Sequence, residues 1–377
     1  MTADDGGAIV LLAGSRWENT RGTDHRLAEA MTAHVPVLWV DPPMPFPGPR
    51  AAQRPPIPPG YALDCLRPGL VRLRFAAPPG FTRPALRRAA SYLLGRAVRA
   101  AVDDLGVEPI ATLLLSPRDE FPAGLTGVRV LHITDDWPAG AAMMGLSRRR
   151  VEAILARNIA RAGIVTAVSP YLASAAEAHG ARIVTVLPNG CSPVTGDGDV
   201  VRPRLAAGII GQLNERLDFD LLDELAASGI DIEVIGPNKV RDPDARRRLE
   251  RFLAEPRVTW VGEVTEQDLW PRLRRLSVGL TPYADNEFNR SSFPVKTLDY
   301  LAAGLPVVST DLPATRWLDT ELVRTAGTRT EFVAAVHAAL AVGGAARDRQ
   351  ARQSFAARHT WDARARQLLT LIAEARA

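Results

Sequence analysis

Residues 290–312, RSSFPVKTLDYLAAGLPVVSTDL, hold the side chains of this sequence that are best suited to binding chemistry. Lys296, Asp299 and Tyr300 lie three and four positions apart, a spacing that brings side chains together on one face of a helix. The N-terminus of a helix exposes free N–H groups and carries partial positive charge, which suits an anion such as a phosphate. The segment therefore offers backbone amides and an ammonium group for a diphosphate, and a carboxylate for a hydroxyl group.

Two interpretations of the Lys296–Asp299 pair stay open. One is the binding role described above, and the other is an ordinary surface ion pair worth only about 0.2–0.5 kcal/mol. Lysine occurs at only two positions, 239 and 296, in a chain whose other cationic side chains are arginines. Because an ammonium and a guanidinium are not interchangeable, a lysine at this position favours the binding role.

The residues around the pair predict a loop, a helix and a buried strand. The polar turn Ser291-Ser292 comes first, and the helix starts near Phe293 or Pro294, because proline is accepted in a first helical turn. Gly304 ends the helix, as glycine does just beyond a C-cap. The β-branched pair at 307–308 then indicates a buried strand, so the segment is typical of an α/β domain.

A second candidate for chemistry is the carboxylate pair Asp135 and Asp136, which follows a predicted strand at 128–133. Two carboxylates so close together raise the pKa of one of them, which suits proton transfer. The alternative is that they cap a helix beginning near Trp137. His132 lies inside the strand, so its side chain is predicted to be packed or hydrogen-bonded rather than catalytic.

The start of the chain indicates a doubly wound sheet. An apolar strand at 8–13 is followed by a loop at 14–23, a helix from about Asp24 and a second strand at 35–40. Ligands of such sheets bind at the carboxyl ends of the strands, so the loop is a candidate binding lip, and a plain connector is the open alternative. The loop lacks the G-x-G-x-x-G pattern of dinucleotide-binding folds.

Residues 83–102 predict an amphipathic helix with a basic face. Such a helix can lie on an anionic membrane surface. The other interpretation is a domain helix with a solvated basic face, which the arginine-rich background of the chain favours.

Composition limits the class of protein. With 377 residues the chain is long enough for two domains, and a formal charge of +4 gives no global nucleic-acid footprint. The only cysteines, Cys65 and Cys191, are too few for a disulfide scaffold, and no metal-ligand spacing occurs. There is no apolar run of about 18 residues, and the N-terminus lacks a basic signal region. We therefore expect a cytoplasmic protein.

One pattern carries a family resemblance. Residues 294–310 read P-x-K-x-x-D-Y-L-A-A-G-x-P-V-V-S-T, which resembles the donor-site segment of GT-B glycosyltransferases. The most similar subgroup is the family-4-like (group 1) bacterial enzymes of the teichuronic-acid type. Many family-4 enzymes carry two glutamates eight positions apart here, of which the first touches the sugar and the second holds the ribose. These positions are Ser291 and Asp299, so the first departs from the family pattern.

The resemblance extends through two further segments. After the strand that ends at Gly211, the family often places cations on the diphosphate, and Arg216 is the only cation of this loop. Pro188-Asn189-Gly190 resembles the end of a GT-B N-terminal domain, although Cys191-Ser192 replaces the usual Val-Asp. The resemblance is specific over 205–312 and loose before residue 130.

The resemblance implies an α/β protein of the GT-B fold, in which two Rossmann-like doubly wound domains face a central cleft. The predicted domains are an N-terminal acceptor domain at 1–191, a linker at 192–204, a nucleotide-sugar donor domain at 205–355, and a C-terminal helix at 356–377 that crosses back to the first domain. The implied activity is transfer of a sugar from a nucleoside-diphosphate sugar to a hydroxyl acceptor, with retention and without a metal or another cofactor. A nucleotide-sugar epimerase and a catalytically inactive partner subunit stay open as alternatives.

Three groups of site residues are predicted on this basis. The expected acceptor is a cell-envelope glycan, a lipid or a secondary metabolite. We also expect peripheral membrane contact through the helix at 83–102, and no nucleic-acid partner. The predicted catalytic residues are Asp135 and Asp136; the donor-binding residues are Gly211, Arg216, Ser291, Ser292, Phe293, Val295, Lys296 and Asp299; the acceptor-side residues are Ser15, Arg16, Arg21 and Gly22.

Overall fold

The structure is a computed structural model that describes residues 7–19, 21–45, 60–78, 84–142, 144–192, 204–293, 295–342 and 346–377. The chain forms two compact units. Unit 1 consists of Met1–Pro188 together with Asp362–Ala377, and unit 2 consists of Asn189–Trp361. The predicted linker at 192–204 lies outside the described residues except for its two end residues.

Unit 1 is built on a mixed sheet whose central strands are parallel. Its strands are β1 (Gly7–Leu12), β2 (Val37–Val40), β3 (Met44–Pro45), β4 (Tyr61–Arg67), β5 (Leu70–Ala77), β6 (Glu108–Leu114), β7 (Val128–Ile133), β8 (Ile164–Ala167) and β9 (Val184–Val186). Their order in the sheet is β3-β5-β2-β1-β6-β7-β8-β9, and β4 pairs antiparallel with β5. The helices between these strands are α1 (Thr23–Met31), α2 (Pro84–Leu105), α3 (Arg148–Arg161) and α4 (Pro170–Ala178).

Unit 2 contains a six-stranded sheet that is parallel throughout. Its strands are β10 (Ala206–Ile210), β11 (Asp231–Ile235), β12 (Val258–Gly262), β13 (Val278–Thr281), β14 (Val307–Thr310) and β15 (Val323–Ala326), in the order β12-β11-β10-β13-β14-β15. Its helices are α5 (Phe219–Ala227), α6 (Pro243–Leu253), α7 (Glu266–Leu273), α8 (Glu287–Ser291), α9 (Val295–Ala302), α10 (Pro313–Trp317), α11 (Arg329–Val342) and α12 (Ala346–Ala357). The last helix of the chain is α13 (Trp361–Arg376).

The central strands are apolar because helices cover both faces of a parallel sheet. In β1, residues 8–12 are at most 2% exposed, and every residue of β10 is buried. In both sheets the chain first adds strands on one side of its first strand and then continues on the other side. This reversal creates a topological switch point between β1 and β6 in unit 1, and between β10 and β13 in unit 2. Such points are where open α/β sheets bind ligands.

Several elements differ from the sequence-based expectation. Helix α9 starts at Val295, the short helix α8 precedes it where a turn was expected, and the basic helix runs over Pro84–Leu105. The last helix runs over Trp361–Arg376, inside the predicted C-terminal segment at 356–377, and contacts assign Asp362–Ala377 to unit 1. No helix in the described part of the chain has both the length and the apolar character that crossing a bilayer requires.

His132 is buried inside β7, as its position in the strand predicts. Its Nδ1 lies 2.8 Å from Thr166 Oγ1 on the neighbouring strand β8. Burial disfavours the charged imidazolium and lowers the pKa of His132 from 6.5 to about 4. His132 is therefore neutral in the folded protein near pH 7, and it is a core residue rather than a catalytic one.

This burial predicts a pH dependence of stability. Below pH 6.5 the unfolded chain binds a proton at His132 that the folded protein binds only near pH 4. The free energy of unfolding therefore keeps its full value above pH 6.5. It falls by about 3 kcal/mol as the pH is lowered from 6.5 to about 4, because only the unfolded chain gains a proton at His132 in that range. We expect His132→Gln to show a smaller loss of unfolding free energy than the wild type between pH 7 and about pH 4, measured by urea denaturation. The exposed His179→Gln is the control, and equal slopes in all three proteins would contradict the prediction.

Candidate functional site

The candidate donor site lies at the switch point of unit 2, where the loops after β10 and β13 are joined through their backbones. Asp218 N donates to Pro282 O at 2.9 Å, and Ala284 N donates to Arg216 O at 2.9 Å. An isolated bridge also links Leu217 to Tyr283. The two loops thus form one rigid edge, and Arg216 lies within it.

Arg216 is held in place by its surroundings. Its guanidinium carbon lies 5.1 Å from the ring centre of Tyr283 and 5.3 Å from that of Phe288, within the range of cation–π attraction. Its Nε donates to Asn289 Oδ1 at 2.8 Å. Among the described residues, neither terminal nitrogen of Arg216 makes a hydrogen bond or an ion pair. The side chain is therefore oriented before any ligand binds, with two donor groups available for an anion.

Asn289 anchors this arrangement and was missed by the sequence-based analysis. It is 2% exposed, and its Nδ2 donates to Arg216 O at 2.9 Å and to Ala284 O at 2.8 Å. Its own position is set by α8, whose N-cap Asn286 accepts a hydrogen bond from Asn289 N. The Asn286-x-x-Asn289 spacing was the available signal, since asparagine is a preferred N-cap residue.

Gly211 brings two loops and the donor helix together. Its φ of +114° is favoured by glycine, and an added Cβ would lie 3.2 Å from Lys296 Cε. Gly236, at the end of β11, has a φ of +147°, and its added Cβ would lie 1.8 Å from Gly211 O. Gly211 N donates to Ile235 O at 2.9 Å, so the backbones of the two loops are in direct contact. The two loops and the helix can therefore pack this closely only because Gly211 and Gly236 have no side chains.

Lys296 and Asp299 form an ion pair on the first turns of α9. Lys296 Nζ lies 3.0 Å from Asp299 Oδ2, and the two side chains are 32% and 14% exposed. The ion pair that the sequence left open as an alternative is therefore formed. The structure also places Lys296 next to Gly211, so Lys296 contacts both Gly211 and Asp299.

Tyr300 fixes α9 to the sheet beneath the site. Its hydroxyl group donates to Gly208 O at 2.7 Å and accepts from Ile210 N at 2.9 Å, both on β10. Its ring occupies the space of a side chain at Gly279, where an added Cβ would lie 2.2 Å from Tyr300 Cγ. The tyrosine thereby sets the distance between the donor helix and the end of β10.

Three other predicted donor residues turn towards the interior. Ser291, Ser292 and Phe293 are at most 4% exposed. Both serine hydroxyls donate to Phe288 O, at 2.7 and 2.9 Å, and Phe293 packs on Trp317 with ring centres 5.9 Å apart. A buried hydroxyl cannot reach a ligand without rearrangement, so this placement speaks against the side-chain contacts expected of them. Val295 is half-buried at the start of α9.

The predicted acceptor-side loop of unit 1 is tied down by hydrogen bonds. Ser15 donates to Asp24 Oδ2 from both its backbone nitrogen and its hydroxyl, at 3.2 and 2.9 Å. Arg16 Nη2 donates to Pro43 O at 3.0 Å. Arg21 pairs with Glu29, and Gly22 N lies 3.4 Å from His25 Nδ1. These contacts hold the loop in one conformation, and its role in acceptor binding stays a prediction.

A polar cluster below this loop was not foreseen from the sequence. Asp41 is 2% exposed, accepts from Trp39 Nε1 at 2.8 Å, and pairs with Arg72, which is itself buried. Trp17 N also donates to Asp41 Oδ1 at 3.2 Å. A buried charge is tolerated only when it is paired and hydrogen-bonded in this way. The cluster thus fixes the loop to the ends of β2 and β5.

A cavity of about 380 Å³ lies at the switch point of unit 1. The loop after β1 lines it with Gly14, Ser15 and Arg16, and the loop after β6 lines it with Arg118 and Asp119. Burial raises the pKa of the Asp119 carboxyl group, although Ser116 Oγ donates to it at 2.6 Å. Asp119 is a functional candidate that the sequence-based analysis passed over, and its place just after a strand was the available signal.

The predicted catalytic pair lies at the end of β7. Asp136 Oδ1 accepts from Ala139 N at 2.9 Å, and Asp135 O accepts from Trp137 N at 2.9 Å. The residues that follow form turns, and the next helix, α3, begins at Arg148. Asp136 therefore caps a turn instead of the helix that the alternative required. A catalytic role of either residue stays a prediction. Within the described residues, no three histidine, cysteine, aspartate or glutamate side chains group as a metal site.

Comparisons with known proteins agree with the expected family. The family described as glycosyl transferases group 1 matches residues 211–341, which include Arg216, Lys296 and Asp299. The curated protein TuaH of Bacillus subtilis (strain 168), named as a teichuronic acid biosynthesis glycosyltransferase, is 26% identical over 239 residues. That match covers 59% of this chain and 59% of the length of TuaH.

Solved structures resemble the chain over almost its whole length. Sucrose-phosphate synthase from Thermosynechococcus elongatus has a TM-score of 0.70 at 15% identity and covers 97% of this chain and 98% of its own. Anabaena HepE, solved in complex with UDP and glucose, has a TM-score of 0.65 at 14% identity and covers 97% and 99%. These identities are low, so the likeness establishes the fold. Residues 211–341 thus match the glycosyl transferases group 1 family, and the chain has the GT-B fold that its sequence led us to expect.

Proposed function

We propose that this protein is a glycosyltransferase that moves a sugar from a nucleoside-diphosphate sugar to a hydroxyl acceptor. The observation that carries the proposal is the state of Arg216, which is oriented by Asn289 and two aromatic rings at the switch point of a group 1 domain. A leaving nucleoside diphosphate develops negative charge, and a cation that is already oriented stabilises this charge without reorganisation.

Each member of the donor site has a distinct role in this proposal. Arg216 and Lys296 bind the diphosphate, and Asp299 accepts hydrogen bonds from the ribose. Because Lys296 and Asp299 are paired at 3.0 Å, donor binding exchanges one ion pair for contacts to the phosphate and the ribose. We further propose that transfer proceeds with retention and without a metal, and that Asp135 or Asp136 serves the acceptor.

UDP is the nucleotide to test first. Anabaena HepE was solved with UDP-glucose, and an E. coli trehalose-6-phosphate protein was solved with UDP-2-fluoro glucose. We expect UDP to bind the full chain in calorimetry with and without EDTA. Incubation with labelled UDP-glucose alone separates the alternatives, because an epimerase converts its substrate, a transferase at most hydrolyses it slowly, and an inactive partner does neither. Rapid conversion to an epimer, or no binding of any nucleoside diphosphate, would refute the proposal.

Asp299→Asn tests the ribose contact. We expect the affinity for UDP to fall about tenfold, because a charge-assisted hydrogen bond is lost. The affinity for inorganic pyrophosphate should stay equal or rise, since the change releases Lys296 from its ion pair. Calorimetry with both ligands measures the difference, and the exposed Asp223→Asn of the same unit is the control. Equal weakening of both ligands would show that Asp299 supports the loop instead.

Peripheral membrane contact and a cytoplasmic location belong to the proposal as well. The support is the outer face of α2, where Tyr92 is 62% exposed and Arg96 lies 6.0 Å from the Tyr92 ring centre. An aromatic ring and cations on one exposed helix face suit a membrane interface. Sedimentation with anionic vesicles of phosphatidylglycerol would test this contact.

A further inference from the structure

We propose that the cavity of unit 1 binds an amphiphilic acceptor, in which a hydroxyl-bearing head group is joined to an alkyl or similar apolar tail. The inference rests on the proposed function and names the substrate class of its acceptor. It follows from how polar and apolar side chains are distributed around the cavity.

The apolar side chains of the cavity come from one group of elements. Phe75 belongs to β5, Leu94 to α2, and Pro42 and Pro43 follow β2. Phe75 and Leu94 are at most 6% exposed, so the core fixes their positions. An apolar ligand group that covers this wall is removed from water, which is favourable in proportion to the area buried.

Apart from Ser91 of α2, the polar side chains come from the other side, at the carboxyl ends of the two central strands. Ser15 and Arg16 follow β1, and Arg118 and Asp119 follow β6. The polar groups thus lie at the switch point, where doubly wound sheets place the reactive part of a ligand. The Asp119 carboxyl group, which burial shifts towards its neutral form, is suited to hydrogen bonding with a hydroxyl.

This separation selects among ligands. A free sugar offers only the small C–H patch of a ring face, which would leave most of the wall of Pro42, Phe75 and Leu94 without an apolar partner. A wholly apolar molecule would offer no acceptor to Arg118 Nε, a buried donor that makes no hydrogen bond among the described residues. A cavity of about 380 Å³ is within the size range of small-molecule sites, so a head group and the first part of a tail fit together.

The test compares two probes that share a head group. Octyl glucoside, kept below its micellar concentration, and methyl glucoside are titrated into the full chain by calorimetry. We expect the octyl compound to bind at least tenfold more tightly. Ser91 is exposed on α2 and lines the cavity, so Ser91→Trp should obstruct the site and weaken octyl glucoside binding at least tenfold. Ser91→Glu, which adds a charge with little bulk, should do the same and serves if the tryptophan variant misfolds.

The matched control is Asp103→Trp, an exposed position about 18 Å further along the same helix. It should leave the binding of octyl glucoside unchanged. A lack of preference for the octyl compound, or octyl binding that both Ser91 variants leave intact, would overturn the proposal. UDP titrations on the same proteins keep the two claims apart. Failure of UDP to bind contradicts the glycosyltransferase, whereas normal UDP binding with no tail preference contradicts only the amphiphilic acceptor.

Discussion

Replacing Arg216 with alanine is expected to lower kcat for sugar transfer by about 100-fold to 1,000-fold while leaving the fold intact. The side chain is oriented by Asn289 and by the rings of Tyr283 and Phe288, so its guanidinium meets the leaving diphosphate without reorganisation. Arg216→Lys should recover little of the rate, because an ammonium lacks the planar fork of donors. Initial rates with a UDP sugar and calorimetry with UDP measure the effect on turnover and on binding.

Arg248→Ala is the matched control for this experiment. Arg248 lies in the same unit, pairs with Asp220 and Asp223, and its guanidinium carbon is 5.9 Å from the ring centre of Phe219. It thus makes the same kinds of contact away from the two joined loops, and its loss should leave the rate unchanged. If Arg216→Ala retained full activity, or if both variants lost activity equally, Arg216 would have no special role in transfer.

Gly236→Ala is expected to cost roughly 3 kcal/mol or more of stability and to abolish UDP binding. The added Cβ would lie 1.8 Å from Gly211 O, so the loop after β10 must move away from the loop after β11. The same methyl group would also sit at a φ of +147°, where side chains are strained. Urea denaturation and calorimetry with UDP report the two losses separately.

Gly229→Ala is the control that separates the cost of backbone strain from the cost of a steric clash. Gly229 has a φ of +79°, and nothing lies within 4 Å of its added Cβ. This change should cost only about 1–2 kcal/mol, the price of a left-handed residue, and leave UDP binding normal. If Gly236→Ala were no more harmful than Gly229→Ala, the contact between the two loops would not matter for the donor site.

Most of the fold could be predicted from the sequence because apolar runs and glycines mark the strands of a doubly wound sheet. The strand at 128–133 was located to the residue. The short helix α8 was missed, since its five residues carry no periodic apolar face. Strand β4 was not predicted either. It pairs antiparallel with β5, and most of its residues are half-exposed, so apolar and polar residues alternate only weakly along it.

The candidate site was only partly predictable. Lys296 and Asp299 were found because helical spacing and a family pattern coincide there. Asn289 and Asp119 were missed, since their importance arises from contacts with Arg216 and with a cavity that distant segments create. Ser291 was placed in the donor site by alignment with a family glutamate, whereas the structure buries its hydroxyl against Phe288. Spacing along a chain indicates which residues share a face, but not which face turns inwards.

The division of the chain has a consequence for its synthesis. Unit 1 includes Asp362–Ala377, and His34 Nε2 lies 2.7 Å from Asp362 Oδ1 across 328 positions of sequence. Helix α13 leaves the ribosome only after the whole of unit 2 has been synthesised. Residues 1–188 therefore cannot contact residues 362–377, the other part of unit 1, while unit 2 is being made. Ala365, Leu368 and Ile372 of that helix are at most 1% exposed. Nascent unit 1 therefore stays without these buried contacts during translation, and its cotranslational folding is completed only after that of the unit that follows it.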